Sequence, residues 1–136
     1  MRLVAIFLFS LVVGCSGRKP FQPPPDTYER WVKPGESFID VKKAVMECGY
    51  PNPYNALLES DNSRNRAILG ANEIILADLC LIGSGYKYHR RDKYDFCVGD
   101  KWPACSSSVQ PPKRSVKLRL ESRFCRDFPA ADVCQP

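Results

Sequence analysis

The cysteines constrain this chain more than any other feature of its sequence. Seven are present in 136 residues, and six of them follow residue 47. These six are Cys48, Cys80, Cys97, Cys105, Cys125 and Cys134. The seventh, Cys15, is set apart from them and directly follows an apolar stretch. Six cysteines in one small domain favour three disulfide bonds when the chain reaches an oxidising compartment.

The first 14 residues have the composition of an export signal. Arg2 supplies positive charge next to the amino terminus, and residues 3–13 are apolar except for Ser10. An apolar segment of this length is typical of a signal peptide and is shorter than the roughly 18 to 20 residues of a membrane-spanning helix. We therefore predict that residues 1–14 are removed from an exported protein, with a retained anchor helix as the alternative.

The residues around the predicted cleavage point resemble the lipobox of bacterial lipoproteins. Val12 stands at the branched aliphatic position, small Gly14 precedes the cut, and Cys15 takes the place of the lipid acceptor. The resemblance implies a diacylglycerol on the Cys15 thiol, cleavage before this residue, and acylation (palmitate) of the new amino terminus. Ser16, rather than Asp, follows the cysteine, which by the sorting rule of that family implies the outer membrane of a Gram-negative bacterium. An ordinary secretory signal with a chance cysteine is the alternative.

A proline-rich stretch follows the predicted lipid acceptor. Residues 15–25 contain four prolines and few apolar side chains, which predicts an extended tether with polyproline II character. Residues 26–136 are then long enough for one small disulfide-stabilised domain. The formal net charge of +5 falls by one when Arg2 is removed, and this mild excess is not typical of a dedicated nucleic-acid-binding protein.

The spacing of the cysteines along the chain reduces the number of plausible disulfide pairings. Four of the six cysteines form two pairs of close neighbours across loop-like sequence. The remaining two stand near the ends of predicted helices and are left to pair with each other. The predicted disulfides are Cys48–Cys80, Cys97–Cys105 and Cys125–Cys134.

The first predicted helix has a complete set of local signals. Ser37 stands as the N-cap, with Asp40 three residues later at the acidic position of a capping box. Apolar side chains then recur at helical spacing, at Phe38, Val41, Val45 and Cys48. Gly49 stands where a left-handed C-cap favours glycine. These signals predict a helix over residues 37–48.

A second helix is predicted to begin at Asn62 or Ser63 and to stop at residues 83–85, which are Gly-Ser-Gly. Its apolar stripe comprises Ile68, Ile75, Leu79 and Ile82, widened by Leu69, Leu76 and Cys80. With a disulfide between them, the two helices form a stapled helical hairpin.

Regular periodicity fades after Tyr86. Apolar Val116, Leu118 and Leu120 alternate with charged residues, which favours a short strand. Residues 124–136 are predicted as a loop closed by the last disulfide. The predicted fold class is mainly α: a small, disulfide-stapled domain in which a two-helix hairpin precedes a loop-rich tail with one short strand pair.

Residues suited to catalysis or metal binding do not form a motif. His89 is the only histidine and stands among basic residues, as a solvated loop histidine does. No cysteine pair has the spacing of a zinc site, and the glycines at residues 83–85 follow a helix, so they are not a phosphate loop. The 15 acidic residues give no sign of the two facing carboxylates that a glycosidase needs. We predict no catalytic residue, metal or cofactor.

The strongest candidate for binding is a run in which basic and aromatic residues alternate. Its members are Tyr86, Lys87, Tyr88, Arg90, Arg91, Lys93 and Tyr94, together with Trp102 in the next loop. Such side chains dock on anionic or sugar-bearing surfaces. The alternative is that the aromatic side chains cover the helical hairpin while the charges keep the segment soluble. A second basic cluster comprises Lys113, Arg114, Lys117, Arg119, Arg123 and Arg126.

Together these features predict a non-enzymatic lipoprotein of the outer membrane, whose domain is an interaction module in the periplasm or at the cell surface. A lipid-anchored inhibitor or exclusion factor that binds an envelope enzyme or receptor through a stapled loop is the first alternative. A peptidoglycan-active enzyme is less favoured. The expected partners are the membrane, through the lipid, and an envelope protein, peptidoglycan or lipopolysaccharide, whereas nucleic acid is not expected.

Overall fold

The structure, a computed structural model, describes residues 25–58, 67–89, 97–98 and 102–136. Its α-helices are α1, Phe38–Glu47; α2, Ala71–Gly83; α3, Val116–Leu120; and α4, Arg123–Asp127. Short 3-10 turns occur at Tyr28–Arg30, Pro103–Cys105 and Asp132–Cys134. The domain is therefore mainly α, as the sequence predicts. Within these ranges, no helix has both the length and the apolar composition to span a bilayer. The predicted signal peptide and Cys15 lie outside the described residues.

Two very short antiparallel strand pairs accompany the helices. β1, Trp31–Val32, pairs with β4, Lys87–Tyr88, and β2, Leu57–Leu58, pairs with β3, Ala67–Ile68. The first pair joins the start of the domain to the segment that follows α2. Neither pair lies in the tail, where the sequence predicts one, because the regular elements of residues 102–136 are helical.

Helix α1 begins and ends as its local signals predict. The Ser37 N–H donates to Asp40 Oδ2 at 2.9 Å, and the Asp40 N–H donates back to Ser37 Oγ at 3.3 Å, which completes the capping box. The Ser37 hydroxyl also donates to Asp40 Oδ2 at 2.6 Å, and this bond, with that from the Ser37 N–H, holds the pKa of the Asp40 carboxyl below its ordinary value. Gly49 adopts a φ of +116° just beyond the C-cap, a conformation that residues with a Cβ rarely adopt.

Helix α1 is also the centre of the domain, because it is buried on two sides. Val41, Ala44 and Val45 belong to the main core, which includes residues of α2. Met46 belongs to a second cluster formed with Cys125, Val133 and Cys134 of the tail. One helix thus joins the two halves of the chain.

Helix α2 is shorter than predicted. It begins at Ala71 after Gly70 as N-cap, so the predicted start at Asn62 or Ser63 is wrong, and those two residues lie outside the described ranges. Ile68 lies in β3 rather than in the helix. The predicted stripe also misplaces the buried face, because Ile82 is exposed whereas Leu81 is fully buried. The buried residues of this helix are Ile75, Ala77, Asp78, Cys80 and Leu81.

The three disulfides are the predicted pairs, with Cα–Cα distances of 5.6 Å for Cys48–Cys80 and 5.3 Å for both others. The first bond joins the C-cap of α1 to the last turn of α2. The carboxyl ends of the two long helices therefore meet. Gly49 follows this junction, and a Cβ on it would lie 3.9 Å from that of Ala77.

The tail differs most from its prediction. Residues 116–120 form helix α3, capped by Ser115, whose Oγ accepts from the Leu118 N–H at 3.2 Å. Its apolar side chains are exposed and Arg119 is buried, so the predicted strand is wrong. The predicted loop over residues 124–136 instead contains most of α4 and the 3-10 turn at Asp132–Cys134.

The disulfides should differ in their effect on stability. Replacing both Cys48 and Cys80 with Ala should lower the free energy of unfolding by about 3.7 kcal/mol, because that bond closes the longest loop, with a sequence separation of 32. The same change at Cys97 and Cys105, with a separation of 8, should cost about 2.6 kcal/mol. Urea unfolding measures both, and a larger loss for the second pair would contradict the prediction.

Candidate functional site

The basic–aromatic run begins inside the fold. Tyr86 is 2% exposed and belongs to the main core. Its hydroxyl donates to the Glu36 carboxylate and accepts from Arg114 Nη1 at 3.3 Å. Burial, and then the bond to Glu36, raise the pKa of this hydroxyl well above its ordinary value of 10.0. Tyr86 is thus a core residue, and its prediction as an exposed binding residue is wrong.

The next residues of the run are partly structural. The half-buried ring of Tyr88 packs edge-to-face against buried Trp31, with 5.2 Å between ring centroids. Lys87 and His89 are exposed, and the His89 N–H donates to the Arg30 carbonyl at 2.6 Å. The described part of the run therefore favours the alternative in which aromatic side chains cover the core. The remaining members, Arg90, Arg91, Lys93 and Tyr94, lie outside the described residues.

Two members of the second basic cluster bind one buried carboxylate. Glu47 accepts from Arg114 Nε at 2.8 Å and from Arg119 Nε at 3.0 Å. The Arg119 side chain is 2% exposed, and its Nη1 also donates to the carbonyls of Val133 and Gln135. These two arginines hold the tail on α1 and are not available as an open basic face. The other members of the cluster, Lys113, Lys117, Arg123 and Arg126, are exposed.

Glu36 extends this network of charges to the start of the domain. Lys33 Nζ lies 2.7 Å from Glu36 Oε1. Burial alone would raise the pKa of the Glu36 carboxyl, but the hydrogen bonds from Lys33 and Tyr86 outweigh burial and hold this pKa below its ordinary value. Tyr86 thereby connects the Lys33–Glu36 pair to Arg114 and Glu47.

The stapled loop that contains Trp102, which we call the stapled tip, exposes two apolar side chains. Trp102 is 42% exposed and Val98 is 71% exposed. The turn that follows Trp102 is fixed to α2, because the Ala104 N–H donates to Asn72 Oδ1 at 2.8 Å. The structure therefore places Trp102 where it is accessible to a partner, on a loop held by a disulfide and by a helix.

A continuous row of aromatic side chains crosses another part of the surface. It runs in the order Phe38, Tyr28, Tyr54, Phe124 and Phe128, and we call it the aromatic strip. Successive ring centroids are 6.2, 6.1, 6.1 and 5.3 Å apart, the spacing of attractive ring pairs. The two ends are the most open, with Phe38 75% and Phe128 53% exposed. Lys42 Nζ lies 4.4 Å from the ring centroid of Tyr28 and 5.2 Å from that of Tyr54.

Sequence reasoning missed this strip because its members come from segments far apart in the chain. Phe38 is predicted to face the core, as part of the apolar stripe of α1, but it is the first residue of that helix and points away from the main core. Phe38 forms one end of the strip because the fold brings it next to Tyr28, which in turn lies next to Tyr54.

A groove of about 480 Å³ adjoins the strip. Its walls are the end of α1 with the segment after it, and the α3–α4 region, and they share Phe124 with the strip. The apolar residues of the walls are Met46, Tyr50, Pro51, Leu118 and Phe124. The groove and the strip together form one apolar area.

The buried carboxylates of the described residues have structural partners. Asp78 accepts a hydrogen bond of 2.6 Å from the Tyr50 hydroxyl, and Glu47 binds two arginines. Within the described ranges, no group of three or more histidine, cysteine, aspartate or glutamate side chains is placed to hold a metal ion. Two exposed features of the described residues are candidates for binding: the stapled tip and the aromatic strip.

Loss of Arg119 should destabilise the fold strongly. Arg119→Met should lower the free energy of unfolding by about 3 kcal/mol, because it removes one partner of a buried carboxylate. Lys117→Met is the matched control on the same helix, and since Lys117 is exposed, it should change stability by less than about 0.5 kcal/mol. Urea unfolding compares the two, and equal effects would contradict a structural role for Arg119.

Stability at alkaline pH should depend on Tyr86. A hydroxyl whose pKa is raised by folding contributes its full stability below its unfolded pKa of 10.0, and this contribution is lost progressively as the pH rises from that value toward the raised pKa of the folded state. Between about pH 9 and about pH 11, the wild-type protein should therefore lose more unfolding free energy than Tyr86→Phe. Parallel pH profiles for the two proteins would contradict the prediction.

Comparison of the chain with protein-family models, with curated proteins and with solved structures finds no match. Function is therefore inferred from the residues and surfaces described above.

Proposed function

We propose that this chain is a bacterial lipoprotein, anchored to the outer membrane by lipid on Cys15, whose domain is a non-enzymatic interaction module of the cell envelope. One observation carries the proposal. The six cysteines that follow residue 47 are all joined in three disulfides, and the seventh, Cys15, stands at the acceptor position of the lipobox. Disulfides persist in oxidising compartments, and lipid attachment requires a cysteine that is not paired with another.

The surfaces of the domain support binding rather than chemistry. The buried carboxylates Glu47 and Asp78 are engaged in structural bonds. Exposed apolar side chains occur on the stapled tip, at Val98 and Trp102, and along the aromatic strip, at Phe38, Tyr54 and Phe128, and contiguous apolar patches on soluble domains are typical of interaction sites. Because two members of the second basic cluster are bound to Glu47, an apolar protein surface suits the domain better than a polyanion.

An inhibitor or exclusion factor is the second candidate. The observation that favours it is the short loop closed by Cys97–Cys105, with Trp102 and Val98 exposed on it. A preorganised loop binds with a small loss of conformational entropy, and an exposed tryptophan is a frequent anchor in protein interfaces.

Labelling tests the anchor. Cells that express the intact chain in a Gram-negative host are grown with radioactive palmitate, and the wild-type protein should carry label whereas Cys15→Ala should not. Cys15→Ala should also accumulate as an uncleaved precursor. Equal labelling of the two proteins, or cleavage at another bond without lipid, would refute the lipoprotein assignment.

A photocrosslinking residue tests the stapled tip as a binding site. Placed at Val98 in live cells, it should form a discrete adduct with one envelope protein. Trp102→Ala should abolish that adduct while leaving the unfolding free energy within about 1 kcal/mol of wild type, because the side chain belongs to neither core cluster. The same probe at exposed Lys117 is the control, and an adduct that survives Trp102→Ala would exclude the tip as the contact.

A further inference from the structure

The two ends of the aromatic strip are exposed and do not pack in the core. Phe38 and Phe128 belong to neither core cluster, and both are more than half exposed. Isolated apolar side chains on a surface need no explanation, but a contiguous row of five rings is typical of a surface that binds a membrane or another molecule.

The strip lies where the chain joins the domain. The Pro25 carbonyl accepts from both Nε and Nη2 of Arg30 at 3.2 Å. Two residues later, the Thr27 N–H donates to the Tyr54 carbonyl at 2.7 Å, and Tyr28 itself is a member of the strip. The start of the domain is therefore fixed directly beside the middle of the strip.

The length of the tether limits how far this face can lie from the lipid. Nine residues stand between Cys15 and Pro25. Even a fully extended polyproline II chain of that length spans only about 30 Å, at about 3.1 Å per residue. A membrane that holds Cys15 is therefore always within reach of the strip, at a high effective concentration.

The chemistry of the strip matches the interfacial region of a bilayer. Aromatic rings are enriched at the level of the lipid headgroups, and lysine side chains extend from there toward water. Lys42 Nζ over the rings of Tyr28 and Tyr54 reproduces this combination. Near Phe124 and Phe128, Arg123 Nε lies 3.3 Å from Asp127 Oδ2, whereas the exposed Arg126 donates to the Glu121 carbonyl. Burial of the rings, together with this small excess of positive charge, is the expected driving force.

We propose that the aromatic strip lies in the headgroup region of the phospholipid leaflet that holds the acylated Cys15, so that the domain rests on the membrane on this face. The inference depends on the proposed function for the anchor. A weak contact is sufficient, since lipid chains keep the strip at the surface and a second signal adds to their hold. The tip around Trp102 is then the part of the domain left for a protein partner.

Tryptophan fluorescence tests the proposal. The mature lipid-modified protein, with Phe128→Trp, is reconstituted into vesicles of phosphatidylethanolamine and phosphatidylglycerol, with or without bromine on the acyl chains. The emission, corrected for Trp31 and Trp102 in the wild-type protein, should shift to the blue and lose intensity in brominated vesicles. Val98→Trp is the matched control on the stapled loop and should show neither change.

Each other outcome would overturn the proposal. Emission from Phe128→Trp that is insensitive to bromine would show that the strip does not meet lipid, and equal quenching at Val98→Trp would show that no face is preferred. A blue shift that depends on protein concentration, without vesicles, would assign the strip to a second copy of the chain. In a parallel series, the chain from residue 16 carries an amino-terminal histidine tag that binds nickel-chelating lipid. This protein does not depend on acylation of Cys15, so the series distinguishes a failure of the anchor from a failure of the strip to bind lipid.

Discussion

The buried carboxylate of Glu47 holds the carboxy-terminal part of the domain on α1. Arg114 and Arg119 donate to its side chain, the Ser115 N–H donates to its backbone carbonyl at 3.0 Å, and Arg119 continues to the carbonyl of Val133. Removing such ions from water is costly, and their attraction offsets the cost only when the remaining polar atoms are also bonded. This condition is met, because no buried side-chain nitrogen or oxygen of the described residues lacks a partner. Much of what a larger protein achieves with apolar packing is achieved here with one ion network and three disulfides.

The parts of the fold that could be predicted from the sequence are those that depend on residues close together in the chain. Helix α1 depends on signals within a few residues of its ends, namely the capping box and Gly49, and these are visible in the sequence. The disulfides were predictable because each cysteine pairs with the next one along the chain. Helix α3 was not, since its alternating pattern is that of a strand and its buried residue is an arginine. Arg119 is buried because its side chain donates to the Glu47 carboxylate. The two residues are 72 positions apart in the sequence, so the local pattern around Arg119 does not predict the pair.

The candidate surfaces also differ in whether they depend on residues that are close in the sequence or far apart in it. Trp102 was predictable as an accessible side chain, because a short disulfide loop cannot bury it within itself. Tyr86 looked like an exposed ligand from its basic neighbours, yet its hydroxyl bonds to Glu36, 50 residues away. The aromatic strip joins rings from separate parts of the chain, such as Tyr28, Tyr54 and Phe124. On the proposed anchor, the strip orients the domain on lipid, and the stapled tip is a second exposed surface.

The order of the disulfides also has a consequence for how the protein matures. Each bond joins consecutive cysteines, first with second, third with fourth and fifth with sixth after residue 47, so the three closed loops follow one another without overlap. On the proposed lipoprotein anchor, Cys15 carries lipid, and during export the two members of each of these three pairs emerge before the next pair begins. A thiol oxidase that joins cysteines in the order of their appearance therefore makes the native set directly. We expect this chain to mature with an oxidase alone, without a disulfide isomerase to correct crossed pairs.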